Sequence, residues 1–326
     1  MRPLLLLTAA CVCSAQQWTL YTCMATTKNY VVGAKLPPSG VFHRTAAGEW
    51  LQTGHPNPFT FGLDYDPRDP SRLYVAAGNG LIRMKPDARP WKILTGSDVT
   101  EIRDLSLNSA GNIYYAWVAG VRVSRDGGAN WKEIGGGLPR KYTEAIRVDH
   151  RHAGVLLAGT EQGIYRSDDD GAHWSLAGAA GFSIMRIEQS PHDPCFWLAA
   201  TEQGGLFASH DCGKSFENSG RLGVGANLYD IAFDPTTPSR IAVAGWGTGV
   251  SVSSDNGTTW ESRNASLPNT NVWSIAFDPG HTGRLYAGVH EEALYVSDDA
   301  GRTWKRDGLQ GTVVYRMRFV PEGRGK

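Results

Sequence analysis

Beyond residue 15 the chain has no long apolar run. Nothing approaches the ~20 consecutive apolar residues that a membrane-spanning helix requires, and no apolar run keeps helical spacing. An excess of one charge sign is also missing. Lys plus Arg and Asp plus Glu both number 32, which argues against nucleic acid as the main ligand, since that calls for a basic face. The Gly-x-Ser-x-Gly elbow and the phosphate-cradling Gly-x-x-x-x-Gly-Lys loop are both absent. His150 and His152 form the one close histidine pair, with no acidic or cysteine partner at ligand spacing. No metal and no cofactor are expected.

The first fifteen residues differ from the rest. Arg2 is followed by Leu4 to Leu7, and small residues run to Ala15. This reads as a secretory signal over residues 1–15, cleaved after Ala15. The mature chain, 16–326, is then expected to be secreted or periplasmic. A lipid anchor at Cys11 is an alternative, although Thr8 stands where leucine is usual.

What the sequence has in quantity is repetition. The pattern Ser-x-Asp-x-Gly-x-x-Trp occurs at Ser124–Trp131, Ser167–Trp174, Ser253–Trp260 and Ser297–Trp304, and with Phe in the last place at Ser209–Phe216. The starts lie 42–44 residues apart. Two weaker copies, His43–Trp50 and Met84–Trp91, keep the tryptophan and the phase. Seven units of this length suggest one propeller blade each. Within a unit, short runs rich in β-branched and aromatic residues are split by Gly, Pro and Asp, as in Val272–Pro279, Arg284–Val289, Ala293–Ser297 and Thr303–Arg306. Four strands per unit, A to D, are read from this.

The expected fold is therefore all-β: one seven-bladed propeller of four-stranded antiparallel blades over 16–326. The last run, Val313–Val320, looks like a strand A without followers. The first unit offers Tyr30–Ala34, Val41–Arg44 and Trp50–Gln52 but no strand A of its own. The C-terminal strand is expected to close the N-terminal blade, with Trp18–Met24 competing for the slot. Closure removes open sheet edges.

The five full motifs resemble the Asp-box, or BNR, repeat of sialidases, xyloglucanase-type glycoside hydrolases, sortilin-type receptors and photosystem II assembly factors. The resemblance implies a fold and not a chemistry. It also implies that Asp126, Asp169, Asp211, Asp255 and Asp299 hold hairpins on the face opposite any active site. Physically, the carboxylate can accept turn N–H groups, Gly permits the backbone, and the ring wedges between sheets.

Three cysteines follow the leader: Cys23, Cys195 and Cys212. The hairpin centred on Thr201–Gly205 sets Cys195 opposite Cys212, so a disulfide between them is expected outside the cytoplasm, with two separate thiols as the alternative. Asn256-Gly-Thr and Asn264-Ala-Ser match the glycosylation pattern.

A ligand site is expected at the mouth of the central channel, where the D–A and B–C loops of all blades converge. Candidate binding residues there are Arg140, Tyr142, Tyr229, Trp246, Trp273, Tyr315 and Arg316. The aromatics can stack on a sugar or a peptide, or serve as spacers between blades. The first functional reading is a monomeric, non-catalytic binding or assembly module outside the cytoplasm. Its partner is a protein or a polysaccharide, not nucleic acid. The second is a glycoside hydrolase acting on a polysaccharide. It would draw its paired carboxylates from Glu144, Glu161, Glu202, Asp230, Glu291 and Glu292. Arg103, Arg140 and Arg316 would be the arginines of a sialidase-like clamp. Against it, the Arg-Ile-Pro signature of sialidases is absent, and xyloglucanases place their cleft between two rings.

Overall fold

The computed structural model describes residues 16–28, 38–54, 56–85, 88–139, 142–220 and 222–323. Among them are 28 strands and no helix. The strands form seven separate four-stranded antiparallel sheets. The innermost strands, A, are Thr60–Asp66, Asp104–Leu107, Thr143–Val148, Ser183–Gln189, Asn227–Phe233, Val272–Phe277 and Thr312–Pro321. The last belongs to blade 1, and blades 2 to 7 follow in chain order.

Ring closure uses both candidate segments. Thr312–Pro321 is the inner strand of blade 1, and Trp18–Thr26 pairs with it as strand B. Gly40–Arg44 and Trp50–Thr53 complete the sheet. Trp18–Met24 is thus the neighbour of the C-terminal strand and not its rival. The segment Tyr30–Ala34 lies outside the described residues.

Near the axis the blades crowd, and strand B answers with small side chains. Ala76, Ala116, Gly159, Ala200, Ala244 and Gly288 occupy equivalent places opposite strand A. At Gly288 a Cβ would lie 2.8 Å from the Cβ of Val314, on the inner strand of the next blade. Such an approach leaves room for nothing larger.

The five full motifs all sit between strands C and D, and they share one geometry. The serine Oγ donates to the aspartate at 2.7–2.9 Å. It accepts the glycine N–H at 2.7–2.9 Å. The aspartate also accepts the backbone N–H of the seventh residue at 2.8–2.9 Å. That residue's side chain reaches the second carboxylate oxygen, as Thr303 does at 2.7 Å. The chain turns through two consecutive left-handed residues, for example Asp170 (φ 58°) and Gly171 (φ 83°). At Gly171 a Cβ would also strike Ile134 of the preceding blade at 2.6 Å.

The eighth residue ties blade to blade. Trp174 donates Nε1–H to Ile134 O at 2.6 Å, Trp131 to Leu94 O at 2.9 Å and Trp304 to Arg263 O at 2.7 Å. Each acceptor is on the preceding blade. Trp50 of the weak first copy does the same to Asp307 O at 2.9 Å, across the closure. Trp260 departs from the pattern and bonds its own Gly257 O.

These hydrogen bonds have a pH consequence. In Asp126, Asp169 and Asp255 they hold the carboxyl down at about 2. In Asp211 and Asp299 burial pushes upward first, but the same donors win and the value is again about 2. A lowered folded-state value stabilises the fold above the unfolded carboxyl range, about 4. That contribution is lost as pH falls from about 4 to about 2. We expect tryptophan near-ultraviolet dichroism to collapse in this window and to be nearly flat between pH 5 and 7. A transition centred above pH 5 would refute the assignment.

Cys195 and Cys212 are joined by a disulfide. The register of the hairpin is one residue away from the expectation. Trp197 pairs with Ser209, which would set Cys195 opposite Asp211. The left-handed turn at Cys212 (φ 62°) makes up the difference, and its N–H donates to Cys195 O at 3.1 Å. Cys23 is free and buried, and burial pushes its thiol up to about 12. Asn264 donates to Thr248 O and Ser262 Oγ and accepts from Val250 N, so it serves the turn. Asn256 is exposed within its motif.

Candidate functional site

The inner strands carry a shared irregularity. The A–B register slips between Thr60 and Gly62, Thr143 and Ala145, Ile184 and Arg186, Leu228 and Asp230, and Val272 and Ser274. In blade 1 the slip falls between Val314 and Arg316. A bulge leaves one residue unpaired and re-aims its side chain. The residues so released are Phe61, Glu144, Met185, Tyr229, Trp273 and Tyr315. Arg103, just ahead of its strand, fills the same place in blade 3. Together these seven line one hollow of about 50 Å³, with Arg316 at its floor. One side chain per blade therefore rings the channel mouth.

The ring is divided by chemistry. Blades 6, 7, 1 and 2 supply aromatics in continuous contact. Tyr229 stacks on Trp273 with centroids 4.7 Å apart. Tyr315 meets Trp273 edge-on at 5.8 Å and Phe61 at 5.7 Å. Trp246, on the B–C turn of blade 6, packs at 6.1 Å from Trp273 and 4.9 Å from His290. Trp273 Nε1–H donates to His290 Nδ1 at 2.9 Å. An indole nitrogen only donates, so Nδ1 is the acceptor in this bond.

Blades 3 and 4 supply charge. Arg103 bonds Glu144 at 2.9 Å and lies 4.3 Å over the Phe61 ring. Burial raises the Glu144 carboxyl, against the pull of Arg103. Tyr142 is two residues out of the ring position. It donates to Glu101 at 2.6 Å and stands beside Arg103.

Beneath the ring the channel is filled. Asp104 bonds Arg147 at 2.7 Å and lies 3.5 Å from Arg186 and 3.7 Å from Arg316. Asp230 is 3.3 Å from both Arg186 and Arg316. Glu188 bonds Arg147 at 2.9 Å and also contacts Arg186. Three carboxylates thus balance three guanidiniums. Burial alone would raise Glu188, but Arg147 and Arg186 hold it well below the carboxylate range. Burial, then Arg147 and Arg316, push Arg186 down to about 10. The acids also link neighbouring inner strands: Asp104 accepts Ile146 N at 3.2 Å and Asp230 accepts Ile275 N at 2.9 Å. Below them a cavity of about 280 Å³ opens on the opposite face, lined by Asp104, Arg147, Arg186, Glu188 and Arg318. The charges of these five are paired, Arg318 with Asp64 at 3.0 Å.

The sequence candidates divide accordingly. Tyr229, Trp273, Tyr315 and Glu144 are in the ring, and Trp246 is beside it. Asp230 and Arg316, 3% and 8% exposed, belong to the filled channel and not to the mouth surface. Burial raises the Asp230 carboxyl despite Arg186 and Arg316. Glu161 and Glu202 are exposed on B–C turns, and Glu291 and Glu292 are half-buried on another. Glu292 is paired with Lys28 at 2.8 Å. Arg140 lies outside the described residues. His150 and His152 are exposed, and no cluster able to hold a metal occurs among the described residues. No helix among the described residues is long and apolar enough to cross a membrane. Phe61 and Met185 were not singled out by sequence, although ring members recur every 41–44 residues.

Seven four-stranded sheets around a filled channel, with Asp boxes between strands C and D, define an Asp-box β-propeller. Residues 116–325 match the family described as photosynthesis system II assembly factor YCF48. This is more than half of the chain, and the chain belongs to that family. No curated protein matches the sequence. Among solved structures, a GH74 enzyme from Niastella koreensis superposes with a TM-score of 0.71 at 17% identity, over 85% of this chain and 51% of the enzyme. YCF48 from Cyanidioschyzon merolae gives 0.58 at 18%, over 81% and 89%. A YCF48 bound to D1 peptide gives 0.57 at 19%, over 79% and 83%. At these identities the likeness is one of fold. The chain spans about half the length of the GH74 enzyme.

Proposed function

We propose that this protein is a non-catalytic binding or assembly module whose channel mouth holds a segment of a partner protein. One observation carries the reading. Of the six exposed large apolar side chains among the described residues, Phe59, Val118, Val224 and Trp246 all lie on D–A or B–C loops, on the mouth face. Apolar exposure gathered on one face marks an interaction surface. The bulged ring adds a different side chain from each blade, whereas the Asp-box hairpins repeat. A peptide bound to a YCF48 supports a protein segment as the ligand. The apolar leader and the Cys195–Cys212 disulfide support a location outside the cytoplasm.

The test is selection of peptides from a displayed library on the mature chain. Selected peptides are expected to lose roughly tenfold or more in affinity on Trp246→Ala and on Phe59→Ser, as for a central interface anchor. Leu176→Ser, an exposed apolar change on an outer strand, serves as the control and should leave binding intact. Selected peptides that ignore the mouth changes but respond to Leu176→Ser refute the reading. Xyloglucan hydrolysis lost on Glu202→Gln or Glu291→Gln would replace it with the glycoside hydrolase alternative.

A further inference from the structure

Resting on that reading, we propose that the mouth sector of blades 6, 7 and 1 is an aromatic cage for the ammonium group of a lysine on the partner segment. Trp273 is enclosed rather than flat. Tyr229 covers one face, while Trp246 and Tyr315 meet it at 75° and 76°. A pyranose needs an open ring face to stack on. Of these rings, Tyr229, Trp273 and Tyr315 border the hollow of about 50 Å³, with Trp246 packed against Trp273, and crossed rings of this kind suit a compact cation because the ring faces are negative. A volume of this size is that of one or two waters.

Two carboxylates act on the sector. After burial, Glu202 raises the Tyr229 phenol, and at Tyr315 Glu291 raises it against the larger opposing pull of Arg103. The cations that face this sector are engaged elsewhere. Arg103 acts on Tyr315 from across the ring but is bonded to Glu144. Arg316, at the floor, is held by Asp230 and Asp104. Lys28 is bonded to Glu292.

The cage is also pre-organised. Asn271 accepts Gly247 N at its Oδ1 (3.1 Å) and His290 N at its backbone oxygen (2.8 Å). It thus holds the Trp246 turn and His290 beside Trp273, and His290 fixes the indole in turn. Rigid placement of this kind reduces the ordering cost of binding.

n-Butylammonium, which reproduces the lysine side chain, and its neutral counterpart 1-butanol separate charge from shape, with tryptophan fluorescence and calorimetry as readouts. The cation is expected to bind saturably and the alcohol ~2- to 30-fold more weakly. Tyr229→Ala should weaken the cation within the same range, and Tyr229→Phe should largely restore it. The double change Glu202→Gln, Glu291→Gln should weaken the cation while sparing the alcohol. A peptide bearing lysine should compete with the cation, and its acetyl-lysine counterpart should not. Equal binding of the cation and the alcohol, no saturable response to the cation, or displacement by a xyloglucan oligosaccharide instead of the lysine peptide would each overturn the cage. If display-selected peptides still depend on Phe59 and Trp246 in that event, the mouth remains a protein-binding face without it.

Discussion

Asp104→Ala is expected to lower stability by about 3–5 kcal/mol and the melting temperature by roughly 10 °C. The carboxylate is 2% exposed and stands among Arg147, Arg186 and Arg316. Removing it leaves an uncompensated guanidinium in a desolvated channel. It also strips the acceptor from Ile146 N, which links the inner strands of blades 3 and 4. Asp104→Asn retains an oxygen for that N–H and loses only the charge, so it should fall between. Thermal and denaturant unfolding of the three proteins measure this. A loss below about 1 kcal/mol for the alanine variant would show that the channel charges are well solvated.

Trp174→Ala is expected to cost a similar amount, about 3–5 kcal/mol, by emptying a buried ring site. The indole is 8% exposed, packs with Ile134, Leu138, Leu156 and Tyr114, and donates to Ile134 O. Blade 5 supplies a natural comparison, since Phe216 takes the equivalent place and is 5% exposed. Trp174→Phe should therefore retain most of the burial and lose about 1 kcal/mol for the hydrogen bond. Denaturant titration of both variants tests the ordering. If they lose equal stability, the rear latch rests on the N–H and not on the ring.

Much of this architecture is legible in the residues. The spacing of Ser124, Ser167, Ser209, Ser253 and Ser297 predicts the blades, and the solitary run at Val313–Val320 predicts closure. Trp18–Met24 reads in the sequence as a competitor for the inner place of blade 1, whereas Trp18–Thr26 takes the second place beside the C-terminal strand. Proximity in sequence does not determine pairing when the paired residues, from Thr26 with Thr312 to Trp18 with Pro321, lie 286 to 303 positions apart. The filled channel was missed for a different reason. Arg147 in Ile-Arg-Val, and Arg186 with Glu188 in Met-Arg-Ile-Glu, alternate with apolar residues as in a half-solvated strand. Only closure of the ring turns that polar side towards an axis where six charges meet. The bulges at Phe61 and Met185 are likewise silent. A one-residue slip is a matter of backbone pairing, and neither residue type announces it.

The pairing of Trp18–Thr26 with Thr312–Pro321 sets the order of assembly. Blades 2 to 7 are each built from contiguous chain and can form as they leave the ribosome. Blade 1 must wait, with strands B to D made early and the fourth supplied last. Until residue 321 emerges, Trp18–Thr26 presents an unsatisfied edge, and the circle is an open arc. Joining two ends so far apart along the chain is the slow, entropically costly event.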